Sequence, residues 1–61
     1  MNLIEALKMA IEDEKAAVKH YQEMASQAPD AETRLLFEQI AKEEETHLQR
    51  LTARLKSLKA L

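Results

Sequence analysis

Ser26-Gln27-Ala28-Pro29-Asp30-Ala31-Glu32 is the one stretch of the 61-residue sequence that breaks an otherwise continuous run of helix-forming residues. Proline lacks an amide hydrogen and disfavours helical geometry in the residue before it, so a helix arriving from the N-terminal side stops ahead of Pro29. Asp30, directly behind, is a good N-cap, and Glu32 adds negative charge to the first turn of a second helix. Working outward, Asn2 caps the first helix with Glu5 as its capping-box partner. These signals predict helix over about residues 3–27, a turn at 28–30 and helix over about 31–59. Arg54, Lys56 and Lys59 stand near the negative end of the second helix's dipole. So short a connection makes the helices antiparallel neighbours, and residues 1–61 read as one all-α helical hairpin.

A chain of this length buries too little surface to be comfortable alone. With no cysteine, disulfides are excluded as a supplement, which leaves metal and partner chains. The same absence excludes rubredoxin-type and iron–sulfur centres. Nine basic and eleven acidic side chains are interspersed, so no face carries a nucleic-acid footprint. Tyr21 and Phe37 are the only aromatics, too few for a base-stacking platform. Lys8 and the run Glu12 to Lys15 interrupt the N-terminal apolar residues early, which argues against a signal peptide or membrane span. The expectation is a soluble, cytoplasmic protein.

The apolar stripe of the first helix reads Leu3, Leu7, Ala10, Ile11, Val18, Tyr21, Met24 and Ala25, and Glu14 interrupts it. The second stripe reads Leu36, Phe37, Ile40, Ala41, Leu48, Leu51, Leu55 and Leu58, and Glu44 and His47 interrupt it. At about 100° per residue, Glu14 lies within about 20° of Leu7 and Tyr21, and Glu44 within about 20° of Leu51, so both acids point inward. An unpaired carboxylate in an apolar core costs several kcal/mol, and no inward Lys or Arg offers to pair. Glu14 and Glu44 are each fifteen residues from Pro29, so a hairpin brings them level, with His47 one turn on. A two-fold axis crossing that layer predicts a homodimer, or a higher even oligomer, forming a four-helix bundle with four carboxylates and two imidazoles at its centre.

A Glu from each of two helices plus Glu-x-x-His from each of the other two is the ligand set of di-iron carboxylate bundles. Four carboxylates balance two divalent ions, and mixed oxygen and nitrogen donors suit iron or manganese rather than structural zinc. Glu-x-x-His alone arises by accident about one time in four in a chain with nine glutamates and two histidines, so its weight comes from falling inside the apolar stripe. A metal-free polar layer that sets pairing register is the competing reading.

The stretches Ala10-Ile11-Glu12-Asp13-Glu14-Lys15 through Tyr21 and Ala41-Lys42-Glu43-Glu44-Glu45-Thr46-His47-Leu48 resemble the ferritin-like domain of rubrerythrins, and closely the encapsulated ferritins. The resemblance covers about residues 10–55. It implies a two-helix half whose di-iron ferroxidase site forms only between two subunits, with two Fe per dimer. Glu14 would be a metal ligand, Glu44 a bridging carboxylate, His47 a terminal imidazole, and Tyr21 a hydrogen-bond partner beside the site. It further implies an encapsulating shell protein as a partner and a place inside a protein nanocompartment. Rubrerythrins carry four helices in one chain, another iron-binding glutamate and usually a rubredoxin domain, none present here. Encapsulated ferritins continue into a further helix and a shell-targeting tail, which are not evident.

The expected function is therefore oxidation of Fe(II) by dioxygen or peroxide for iron storage or detoxification. The alternatives are a metal-free structural or interaction module and a rubrerythrin-like peroxidase. His20 reads as a surface histidine, Asp13 and Glu43 as a solvated acidic face, and Met9 and Met24 as core filler. The Leu51, Leu55 and Leu58 ladder reads as bundle closure.

Overall fold

A computed structural model describes residues 1–61 as two helices, α1 (Leu3–Gln27) and α2 (Ala31–Lys59), laid side by side over 47 × 17 × 11 Å. The chain is an antiparallel hairpin without strands. Asn2 Oδ1 accepts from the Glu5 amide at 2.8 Å while the Glu5 carboxylate accepts from the Asn2 amide at 3.4 Å, so the capping box forms in full. Ala28 leaves the helix in extended geometry at φ −69° and ψ 126°, as the residue before a proline must. Asp30 then restarts the helix: its carboxylate accepts from the Thr33 amide at 2.9 Å. That hydrogen bond, with help from the Thr33 hydroxyl, lowers the Asp30 pKa below its ordinary value of 3.8. No helix of the chain is long and apolar enough to cross a membrane.

Only Ile11, Ala25 and Ala41 are buried, and no large side chain is fully enclosed. Two helices touch along a single seam, so each residue on it keeps one flank open. The two sides of that seam differ. On one, Ala25 and Ala41 sit beneath Gln22, Ser26, Arg34, Glu38, Lys42 and Glu45, a polar surface on which Gln22 Nε2 donates to Glu45 Oε1 at 3.4 Å. On the other, Leu7, Ala10 and Leu51 floor a groove that also exposes Glu14 and His47.

Leu3, Ala10, Ala17 and Met24 recur every seven residues and therefore share the groove-side edge of α1. Leu36 lies close to four turns before Arg50, a groove residue, and so shares the matching edge of α2. Leu3, Met24 and Leu36 belong to the stripes expected to be inward, yet they are 61%, 38% and 52% exposed. The seam of one hairpin spans fewer positions than the apolar stripe does, and these three lie just beyond it. Ile4 and Ala17, which the stripe reading passes over, are half-buried instead.

Candidate metal centre

The middle of each helix carries the polar residues that interrupt the apolar pattern. Glu14 projects from α1 between Leu7 and Tyr21, one helical repeat either way, and so inherits their inward direction. Glu44 and His47, three apart on α2, share a face. The hairpin brings all three together: one ligand-capable atom from each lies within 4.8 Å of the other two. The level pairing expected from the equal distances to Pro29 is what the backbone delivers.

Both carboxylates are largely withdrawn from water, with side chains 24% exposed for Glu14 and 20% for Glu44, while His47 is half exposed on the groove side. His47 Nδ1 stands 3.1 Å from Glu44 Oε1 and 3.7 Å from Glu14 Oε2. No lysine or arginine reaches either acid; the ion pairs of the chain are otherwise Lys15–Glu12 and Arg34–Glu38, both on the surface. The consequence falls on Glu14 Oε2, which is buried and has no hydrogen-bond partner. A carboxylate oxygen in that state is short of a cation or a donor by about 1–3 kcal/mol. Two carboxylate oxygens and an imidazole nitrogen converging from two rigid helices form a hard, mixed donor set of the kind that holds iron or manganese. The residues present thus fit a divalent ion of that class, though three side chains leave its coordination open toward the groove.

Tyr21 lies half-buried with its ring packed on Phe37, centroids 6.1 Å apart at 41°. Seven residues, about 10 Å of helix rise, separate it from Glu14, and its hydroxyl makes no hydrogen bond within the chain. His20, Asp13 and Glu43 are exposed and stand outside the cluster, as does Met9. Of two further groove residues, the sequence reading passed over Arg50 and took Arg54 only as a complement to the helix dipole. Arg50 and Arg54 line the same groove as Glu14 and His47. Their signal was present as two arginines four apart with no acid three or four positions from either.

The family model for rubrerythrin matches residues 1–59. No curated protein and no solved structure matches the chain.

Proposed function

The chain belongs to the rubrerythrin family, a match that takes in nearly its whole length, and from that membership we propose that two copies join across their grooves to form a di-iron ferroxidase centre. The observation that carries the proposal is the unpartnered, buried Glu14 Oε2, clustered with Glu44 and His47 beside an open groove that Glu14 and His47 line together with Leu7, Ala10 and Leu51. One hairpin supplies half the ligand set of a di-iron bundle, and a second copy related by a two-fold axis supplies the other half. The shortage of buried side chains in the single hairpin, and the exposure of Leu3, Met24 and Leu36 beside the groove, favour the same pairing.

Fe(II) is the substrate in this reading. Two Fe(II) ions give up one electron each, and with two protons dioxygen is reduced to peroxide, or peroxide to water. Glu14, Glu44 and His47 of each copy would hold the two ions, the histidines supplying nitrogen donors and the glutamates supplying oxygen donors and negative charge. Four carboxylates cancel the charge of two divalent ions, so both can sit in a water-poor layer. Leu7 and Leu51 wall the layer and keep bulk water out once a partner covers them. The Tyr21 hydroxyl, unpartnered in its own chain, is available to a carboxylate of the second copy. Mn(II) satisfies the same donor set. Storage of the oxidised product needs a cavity that a hairpin dimer does not enclose, so a larger assembly or an encapsulating shell belongs to the proposal.

The test is aerobic addition of Fe(II) to the purified protein, followed by near-ultraviolet absorbance of Fe(III) and by oxygen consumption. Wild type is expected to oxidise iron well above the rate in buffer, and His47→Ala to fall to the buffer rate while keeping its helix content. Equal rates in the two would remove the site from the reaction. Peroxide outcompeting dioxygen would move the function to a peroxidase.

A further inference from the structure

A second copy can cover the groove in two ways. A two-fold axis along the helices sets α1 of each copy against α2 of the other; an axis across them at the metal layer sets like helix against like helix, antiparallel. Either brings Glu14, Glu44 and His47 of both copies into one layer. The charges of the second half of the chain separate the two. From Asp30 to Glu45 the chain carries six acids against Arg34 and Lys42, and from Thr46 to Leu61 it carries Arg50, Arg54, Lys56 and Lys59 with no acid. The change of sign falls between Glu44 and His47, at the metal layer itself. With the charges of α1 included, the open end of the hairpin is still net positive and the turn end net negative. Two copies laid in the same direction therefore put like ends together, and two laid in opposite directions put opposite ends together.

The same pattern stands at the groove edge. Arg50 lines the groove, and Glu43, one seven-residue repeat before it, shares its phase on α2. Both are exposed in the single hairpin. They lie on opposite sides of the layer, so a two-fold through the middle of the Glu44–His47 span brings Glu43 of one copy within about 3 Å in height of Arg50 of the other. On α1 the same axis lays Ala10 of one copy over Ala17 of the other, and Leu3 over Met24, two side chains exposed in the single hairpin.

We propose that Glu43 and Arg50 of each copy pair with Arg50 and Glu43 of the other, and that this double contact selects like-helix, antiparallel pairing. The contact rests on the pairing across the grooves proposed above and adds the residues by which one copy recognises another. Ion pairs at the edge of an interface add little affinity and act on orientation and choice of partner.

Charge reversal tests the contact in the full chain with excess Mn(II), read by sedimentation and native mass spectrometry. Glu43→Arg and Arg50→Glu, each alone, set like charges at both contacts, and their dimer dissociation constants are expected to rise about tenfold or more. Mixed in equal amounts, the two variants are expected to form a heterodimer about tenfold or more tighter than either homodimer, because each then offers what the other lacks. The chain has no cysteine, so orientation is read separately by disulfide trapping. Ala10→Cys mixed with Ala17→Cys is expected to give the mixed disulfide dimer on oxidation, ahead of either homodisulfide. Asp13→Cys with Arg50→Cys is the counterpart for α1 packed against α2, and a preferred mixed dimer there overturns the proposal. So does a mixture of the two charge variants that pairs no better than each alone. Wild type that stays a single chain under these conditions removes the shared metal centre as well, whereas wild-type dimers with unrescued variants remove this contact only.

Discussion

Glu14→Leu separates the cost of the polar layer from its use. In the metal-free chain Glu14 Oε2 is buried with no hydrogen-bond partner, and the side chain is only 24% exposed. An oxygen in that state costs about 1–3 kcal/mol relative to a satisfied one, and Leu at the same position removes that cost while adding apolar surface to the groove. The metal-free variant is therefore expected to be more stable than wild type by about 1–3 kcal/mol, which for a domain of this size raises the melting temperature by roughly 4–8 °C per kcal/mol. Divalent metal offsets the variant's advantage. An ion present at about 100 times its dissociation constant stabilises wild type by about 2.7 kcal/mol and leaves the variant unchanged. Urea unfolding monitored by circular dichroism, at fixed protein concentration with chelator and then with excess Mn(II), reads both effects. If Glu14→Leu destabilises the chelated protein, the layer is well satisfied without metal. If Mn(II) shifts both proteins equally, the ion binds elsewhere. Either result refutes the reasoning.

Two further outcomes follow from the same structure. The Asp30 carboxyl is held below its ordinary value of 3.8, chiefly by the Thr33 backbone amide. Its contribution to stability is therefore present above pH 3.8 and lost as pH falls through the lowered folded-state value. The urea midpoint of wild type should exceed that of Asp30→Ala at pH 7, and the gap should close in strong acid; a gap that persists there would place the effect outside the cap's charge. Leu36→Glu removes an apolar side chain beside the groove and adds a charge, at about 1.5–3 kcal/mol for each such chain buried by a partner. Sedimentation should show a dimer dissociation constant raised about tenfold or more, with helix content retained, whereas Leu35→Glu, in a side chain equally exposed but outside the groove lining, should leave it unchanged.

The hairpin was legible because its determinants are local. Pro29 stops one helix and Asp30 starts the next whatever surrounds them, and the Asn2–Glu5 capping box forms within four residues. The cluster was legible for a related reason: Glu14, Glu44 and His47 are polar residues in apolar phase, and helix periodicity plus equal distances from the turn suffice to bring them level. What periodicity does not resolve is which neighbour covers a given apolar residue. Leu3, Met24 and Leu36 fall within the stripes but lie beyond the seam of a single hairpin, while Ile4 and Ala17 fall on it. Arg54 was hidden by a competing role, since basic residues are ordinary near a helix C-terminus, and Arg50 carried no pattern of its own. Tyr21 shares the phase of Glu14 two turns away, and within the single hairpin its ring packs on Phe37.

The most direct test of a shared metal centre is an anaerobic titration of the metal-free protein with Fe(II), with the mass of the assembly followed by native mass spectrometry. A centre shared between two copies should saturate at one Fe(II) per chain, shift single chains to even-numbered assemblies as metal binds, and lose both in Glu44→Ala. Unchanged mass with no bound iron, or iron bound equally well by Glu44→Ala, would contradict it.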